Sequence, residues 1–156
     1  MGMNRHNKNT GFTLIEVIAA IVVIGILAAV AASKGMDTSP YSLAAETGIL
    51  KNNLRFAQIK AMGDVPADTW GLDIKSSSYA LICNGAGCPP LENMPDLPGD
   101  NSATHTFSGN VTATASVNPI YFDNWGSPGA SNVNITLSAG GQTSAVAVIA
   151  NTGFVQ

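Results

Sequence analysis

Gly11, Phe12 and Glu16 are the residues of this chain whose types and spacing point to chemistry. Glu16 is the only charge among the 21 residues from Phe12 to Ala32. A carboxylate in such apolar surroundings costs about 2.5–3.5 kcal/mol near the centre of a membrane helix, and somewhat less near its end, so it requires a partner. None lies nearby in the sequence. Hydrolysis of the peptide bond after Gly11 would supply one, because the new α-amine of Phe12 is a cation in the same low-dielectric layer as Glu16 of a neighbouring copy. That pairing would set the axial register of packed helices.

The other residues with chemical potential point to structure rather than catalysis. Cys83 and Cys88 flank Asn84-Gly85-Ala86-Gly87, a loop that two glycines make supple enough for a disulfide. The bond is expected if this part of the chain lies in an oxidising compartment. Two cysteines with His6 and His105 cannot furnish a four-ligand zinc shell, and no C-x-x-C redox motif is present. Cys88 to Asn101, CPPLENMPDLPGDN, has four prolines and three acids and reads as a long surface loop. Glu92, Asp96, Asp100 and Asn101 offer oxygens to calcium, yet they lack an alternating ligand pattern, and a partner contact is the better reading of a loop of this length. There is no Gly-x-Ser-x-Gly elbow and no phosphate-cradling loop, and Ser127 sits between turn formers with no histidine close in sequence. No enzyme, metal or cofactor is expected. Trp70 and Trp125 are expected in core or loop packing.

Charge disfavours a nucleic-acid partner. Beyond Gly11 there are five cations against ten acids, a formal side-chain charge of −5, and no Lys or Arg between Ser76 and Gln156. Phosphate binding would fall to Lys51, Arg55, Lys60 or Lys75.

The element that must position Phe12 and Glu16 is a helix. At ~1.5 Å per residue the apolar run spans roughly the ~30 Å of a bilayer's hydrocarbon core. The segment before it carries Arg5 and Lys8 and no acid, which keeps it cytoplasmic and sends the rest of the chain outside. An ordinary secretory signal cut at Ala29-Val30-Ala31 would leave Glu16 as an unexplained cost, and a plain single-pass anchor would leave the Gly11 and Glu16 spacing to coincidence.

Downstream, Asp37-Thr38-Ser39-Pro40 reads as a bend or helix restart. Ser42 to Met62 reads as a helix whose Leu43, Leu50, Leu54, Ala57 and Ala61 form one apolar stripe. Lys51, Arg55 and Lys60 lie opposite, on a face read as solvated in preference to a subunit contact. Past Gly63 the pattern shortens. Trp70 to Ile74, Ser78 to Cys83, Val111 to Val117, Ile120 to Phe122, Val133 to Leu137 and Ala145 to Ile149 are predicted strands of an antiparallel sheet packed on that helix. The fold class is therefore α+β: a long N-terminal helix, its first half transmembrane and its second amphipathic, with a β-rich head.

Gly11-Phe12-Thr13-Leu14-Ile15-Glu16, behind a short basic leader, resembles the processing motif of type IV pilins and type II secretion pseudopilins. The resemblance implies cleavage after Gly11 by a prepilin peptidase, N-methylation of Phe12 and an assembly role for Glu16. It implies a bacterial inner-membrane protein with its head in the periplasm. It also implies other pilin subunits, an inner-membrane assembly platform and membrane lipid as partners. LRFAQIKAM from Leu54 to Met62, Trp70-Gly71, Tyr79, YFDNWGSPG and VAVIANTGFVQ are similar to minor subunits of the GspH, FimT and MSHA kinds. The expected division is 1–11 leader, 12–36 membrane and filament-core helix, 37–63 amphipathic helix of the head, and 64–156 β-rich head. The implied role is a minor pilin or pseudopilin; a major pilin forming the shaft is the alternative, and a DNA-uptake receptor is the alternative of another class. The chain departs from major pilins in having no proline between Phe12 and Pro40, which leaves Gly25 and Gly35 as the soft points of the helix.

Overall fold

Twenty consecutive residues with one charge among them form α1, Leu14–Ser33, in the computed structural model, which describes residues 12–33, 39–64 and 68–156. The chain divides into two compact units, Met1–Asp37 and Thr38–Gln156. Within the first, α1 is long and apolar enough to cross a membrane, and none of its 18-residue apolar window is buried among the described residues. Gly25 lies inside the helix; the segment expected to bend ahead of Ser39, with Gly35, lies outside the described residues.

The second unit begins with α2, Ser39–Gly63. It starts three residues before the sequence expectation because Ser39 and Pro40 can occupy a first helical turn, where a missing proline N–H costs no helical bond. The apolar stripe is the buried face: Leu43, Leu50, Leu54, Ala57 and Ala61 are all in the core. Seven strands follow, namely β1 Thr69–Ile74, β2 Ser78–Asn84, β3 Thr104–Thr106, β4 Thr112–Ala115, β5 Ile120–Phe122, β6 Val133–Ala139 and β7 Gln142–Val148.

The α+β architecture read from the sequence is the one observed, but the strands form two sheets. One has the order β3-β2-β1-β5 and the other β4-β6-β7, and every pairing is antiparallel. α2 packs on both, against β1 of the first and β6 and β7 of the second. In β6 the alternation is regular, with Val133, Ile135, Leu137 and Ala139 facing in. Gly140 and Gly141, both at positive φ, make the two-residue turn into β7 that a right-twisted hairpin favours. Beyond β7, Val155 bridges back to Val148, and Gln156 and Ala147 exchange two backbone hydrogen bonds.

β3 was not expected, and the 88–101 segment is not wholly a surface loop. It contains a 3-10 turn at Leu91–Asn93, and Leu97 is buried in the core. Trp70 is in the core, whereas Trp125 is 80% exposed, contrary to the packing expected of it. The reason is local: Asp123 Oδ1 accepts the N–H groups of Trp125 and Ser127, closing a turn with the indole on its outer side.

Candidate assembly site

Thr13 caps α1. The N–H of Glu16 reaches the Thr13 carbonyl at 3.1 Å and its hydroxyl at 3.4 Å, and the N–H of Val17 reaches the same carbonyl at 3.3 Å. Glu16 therefore sits in the first turn, where the helix dipole favours an anion. Phe12, Glu16, Val17, Ala20 and Ile21 line a shallow groove along one side of the helix, the only charged group in it being the Glu16 carboxylate. Such a surface offers lipid or another helix an apolar contact, and offers one acceptor to a cation at the same depth. Gly11, with Arg5, His6 and Lys8, lies outside the described residues.

A second cluster lies inside the head. Glu46 is placed by the helix period between Leu43 and Leu50, and is buried with them. Its Oε1 accepts the N–H of Ser108 at 2.9 Å and the Ser108 hydroxyl, and its Oε2 lies 2.7 Å from His105 Nε2. The other ring nitrogen, Nδ1, lies 2.8 Å from Asp100 Oδ2. A ring nitrogen on each of two carboxylates must donate from both, which is the imidazolium form.

Burial pushes the Glu46 carboxyl up, but the two Ser108 donors and His105 outweigh it and hold it below its ordinary value. Burial likewise pushes His105 down, and the bonds to Glu46 and Asp100 outweigh it and hold it above. Tyr79 covers the imidazole with ring centroids 5.0 Å apart, and its hydroxyl accepts the Asn53 side-chain N–H at 2.8 Å. Burial raises the Tyr79 phenol all the same. The arrangement is a clamp, fastening the loop before β3 to α2.

Asp100 is thereby committed to His105, while Glu92 and Asp96 are exposed. The oxygens weighed for calcium are not gathered, and among the described residues no group of three His, Cys, Asp or Glu side chains is placed to hold a metal. Cys83 and Cys88 are joined in a disulfide with their Cα atoms 5.6 Å apart. The loop they close is pinned to the start of β1: the buried Asp68 accepts the N–H of Gly87 at 3.1 Å, and Thr69 Oγ1 donates to the Asn84 carbonyl at 3.2 Å.

Sequence reasoning overlooked Glu46 and Asp68, and weighed His105 only as a zinc ligand. For Glu46 a signal existed, since a carboxylate three residues after one stripe leucine and four before another must face the core or break the stripe.

Residues 6–32, which include Gly11, Phe12 and Glu16, match the family described as the prokaryotic N-terminal methylation motif. The fold is similar to that of the minor pseudopilin EpsH from the type 2 secretion system of Vibrio cholerae, with a TM-score of 0.50 at 8% identity over 74% of this chain and 94% of that one. The chain thus carries this methylation motif at its N-terminus and has a pilin-like fold. No curated protein sequence matches it. In the head the basic side chains of α2 are partly engaged rather than simply solvated. Arg55 Nη2 donates to the Val155 carbonyl at 3.0 Å, and Lys60 Nζ stands 5.6 Å from the Phe56 ring centroid and 5.8 Å from that of Trp70.

Proposed function

We propose that this subunit is a minor component that primes or caps a type IV pilus or a type II secretion pseudopilus. In this reading residues 1–11 are a leader removed by a prepilin peptidase, 12–36 the membrane and filament-core helix, 37–63 the amphipathic helix of the head, and 64–156 its β-rich part. Hydrolysis after Gly11 frees the Phe12 amine, which is then N-methylated and remains a cation. That cation pairs with Glu16 of a neighbour during assembly. The apolar helix stores the subunit in the bacterial inner membrane with the head in the periplasm, and then exchanges lipid for other pilin helices at the assembly platform. The head decides position and partners, and the protein is a structural subunit without catalysis of its own.

The observation that carries this reading is the lone carboxylate of Glu16, four residues from Phe12 on a helix whose apolar window is not buried among the described residues. The likeness of the fold to a minor pseudopilin supports the minor over the major role. The test is the N-terminal residue and its mass on protein taken from native membranes. An N-methylated Phe12 is expected; a start at Ala32 would mark a signal-peptidase product and end the filament reading.

A further inference from the structure

β7 is an edge strand, and only part of its free edge is filled. Its register with β6 runs unbroken from Ala139↔Gln142 to Val133↔Val148. In an antiparallel pair alternate residues bond one neighbour, and the residues between them face away from it. Ala147 shows which set faces away: its N–H and carbonyl both bond Gln156, on the side opposite β6. Ala145 and Thr143 share that direction. The bridge Val148↔Val155 and the Ala147–Gln156 bonds cover β7 only from Ala147 onward. Among the described residues nothing bonds the outward N–H and carbonyl of Ala145 or of Thr143. Natural sheets guard such an edge with a lysine, a proline or a bulge. Gln142-Thr143-Ser144-Ala145 has none of these, and no side chain from Asn124 to Gln156 is charged.

The charges beside this edge come from α2. Arg55 donates to the Val155 carbonyl, and Gln58 Nε2 lies 3.4 Å from the Thr152 carbonyl. As the terminal segment advances from 152 to 155, α2 therefore runs backwards from 58 to 55. Continued past Gln156 along Ala145 and Thr143, the same lane comes alongside the preceding turn of α2, where Lys51 stands four residues before Arg55. Neither cation has a carboxylate partner among the described residues. Asp64 and Asp123 lie the other way: Asp64 follows α2, and the turn closed by Asp123 meets Gln58 through the Gly126 carbonyl. Val155, Val148 and Val146 are all buried, so positions of an added strand opposite Val146 and Ser144 face the α2 side.

We propose that the free edge of β7 is a strand-addition site for an extended acidic segment of another protein, which continues the lane of residues 154–156 antiparallel to β7. Its backbone exchanges hydrogen bonds with Ala145 and Thr143, as Gln156 does with Ala147, and its carboxylates opposite Val146 and Ser144 meet Lys51 and Arg55. Backbone pairing holds the segment whatever its sequence, and the two cations select an acidic one. A second copy of this chain is a poor occupant. Its own acidic stretch from Leu91 to Asp96 begins as a 3-10 turn and contains Pro95, so it cannot present a run of backbone N–H groups. The site lies in the head and uses neither Phe12 nor Glu16, so its failure would leave the proposed role standing.

The test titrates the full chain in detergent with a blocked peptide of alternating threonine and glutamate, long enough to span 142–146, and reads amide exchange residue by residue. The Ala145 and Thr143 N–H groups are expected to exchange roughly tenfold more slowly with the peptide bound, while that of Ala147, already bonded to Gln156, does not change. The same peptide with lysine in place of glutamate should give no slowing, and Lys51→Glu should weaken binding of the glutamate peptide roughly fivefold. Ala145→Pro removes an outward donor without touching the bonds to β6, so it should abolish the protection at Thr143 and leave the β6 amides as they were. No slowing by the glutamate peptide, equal slowing by both peptides, unchanged affinity in Lys51→Glu, or protection of Thr143 that persists in Ala145→Pro would overturn the proposal.

Discussion

Glu46 on α2 and His105 on β3, 59 positions apart in sequence, meet at 2.7 Å inside the head. His105 is held above its ordinary value of 6.5, so its contribution to stability is complete below pH 6.5 and is lost as the pH rises through the raised value. Glu46 is held below its ordinary value of 4.5, so its contribution is complete above pH 4.5 and is lost as the pH falls through the lowered one. The groups facing the imidazole are Glu46 from α2, Asp100 from the preceding loop and Tyr79 from β2. The urea midpoint of the full chain in detergent is therefore expected to be highest between about pH 4.5 and 6.5 and to fall on the alkaline side, with His105→Gln flattening that fall. A midpoint constant from pH 5 to 9 would contradict the clamp.

Removing one partner of the clamp should cost more than removing an exposed charge. Glu46→Ala takes the acceptor from the Ser108 N–H and leaves His105 Nε2 without one inside the head, with Nδ1 still on Asp100, and is expected to lose about 3 kcal/mol. Asp96→Ala, at an exposed site, should stay within about 0.5 kcal/mol. Equilibrium unfolding of the two variants side by side decides the matter.

How much of this was legible in the sequence depends on the range of the interaction. The apolar run of α1 and the stripe of α2 are local periodicities, and both were plain. The strand β5 was placed to the residue because Ile120-Tyr121-Phe122 is a short β-prone run between turn formers. β3 was missed because Thr104-His105-Thr106 has no apolar side chain, its one inward residue being the histidine that meets Glu46. The division into two sheets was equally hidden, since it rests on which strands pair across distance. The N-terminal methylation motif was readable because its residues follow one another in sequence; the clamp was not, because its members are linked only by the fold.

The buried and exposed sides of α2 should respond differently to truncation. Leu54→Ala, at a fully buried position, is expected to lose about 2–5 kcal/mol. Ile59→Ser should change stability by no more than about 0.5 kcal/mol, which leaves it usable as a probe of surface contacts. Loss of stability in the second variant would mean that Ile59 is covered.

Gly71 sits where β1 meets β5, and a Cβ there would run into the Ile120 carbonyl. Gly71→Ala is therefore expected to separate β5 from β1. The loss should show as faster amide exchange in the pairing from Trp70↔Phe122 to Leu72↔Ile120, while the β6–β7 hairpin stays protected. Uniform exchange rates in mutant and parent would refute the close approach.

Reduction of the Cys83–Cys88 bond should be felt mostly nearby. The closed loop is short, so the expected loss is at the low end of the usual ~2–4 kcal/mol. The N–H of Gly87, held by Asp68, should be the first to exchange. Protection lost first elsewhere in the head would show that the loop is not what the bond secures.

The Arg55 hydrogen bond to the Val155 carbonyl, spanning 100 positions, ties an early helix to the last residues of this sequence. Gln58 reaches forward in the same way to Gly126, and β6 and β7, on which α2 packs, also come late. A chain delivered in order from its N-terminus therefore presents α2 long before anything exists to cover it. Contacts so remote in sequence make for slow closure and a long interval of exposed leucines. The head consequently closes only when its last strands have been made, and its apolar stripe must be shielded until then.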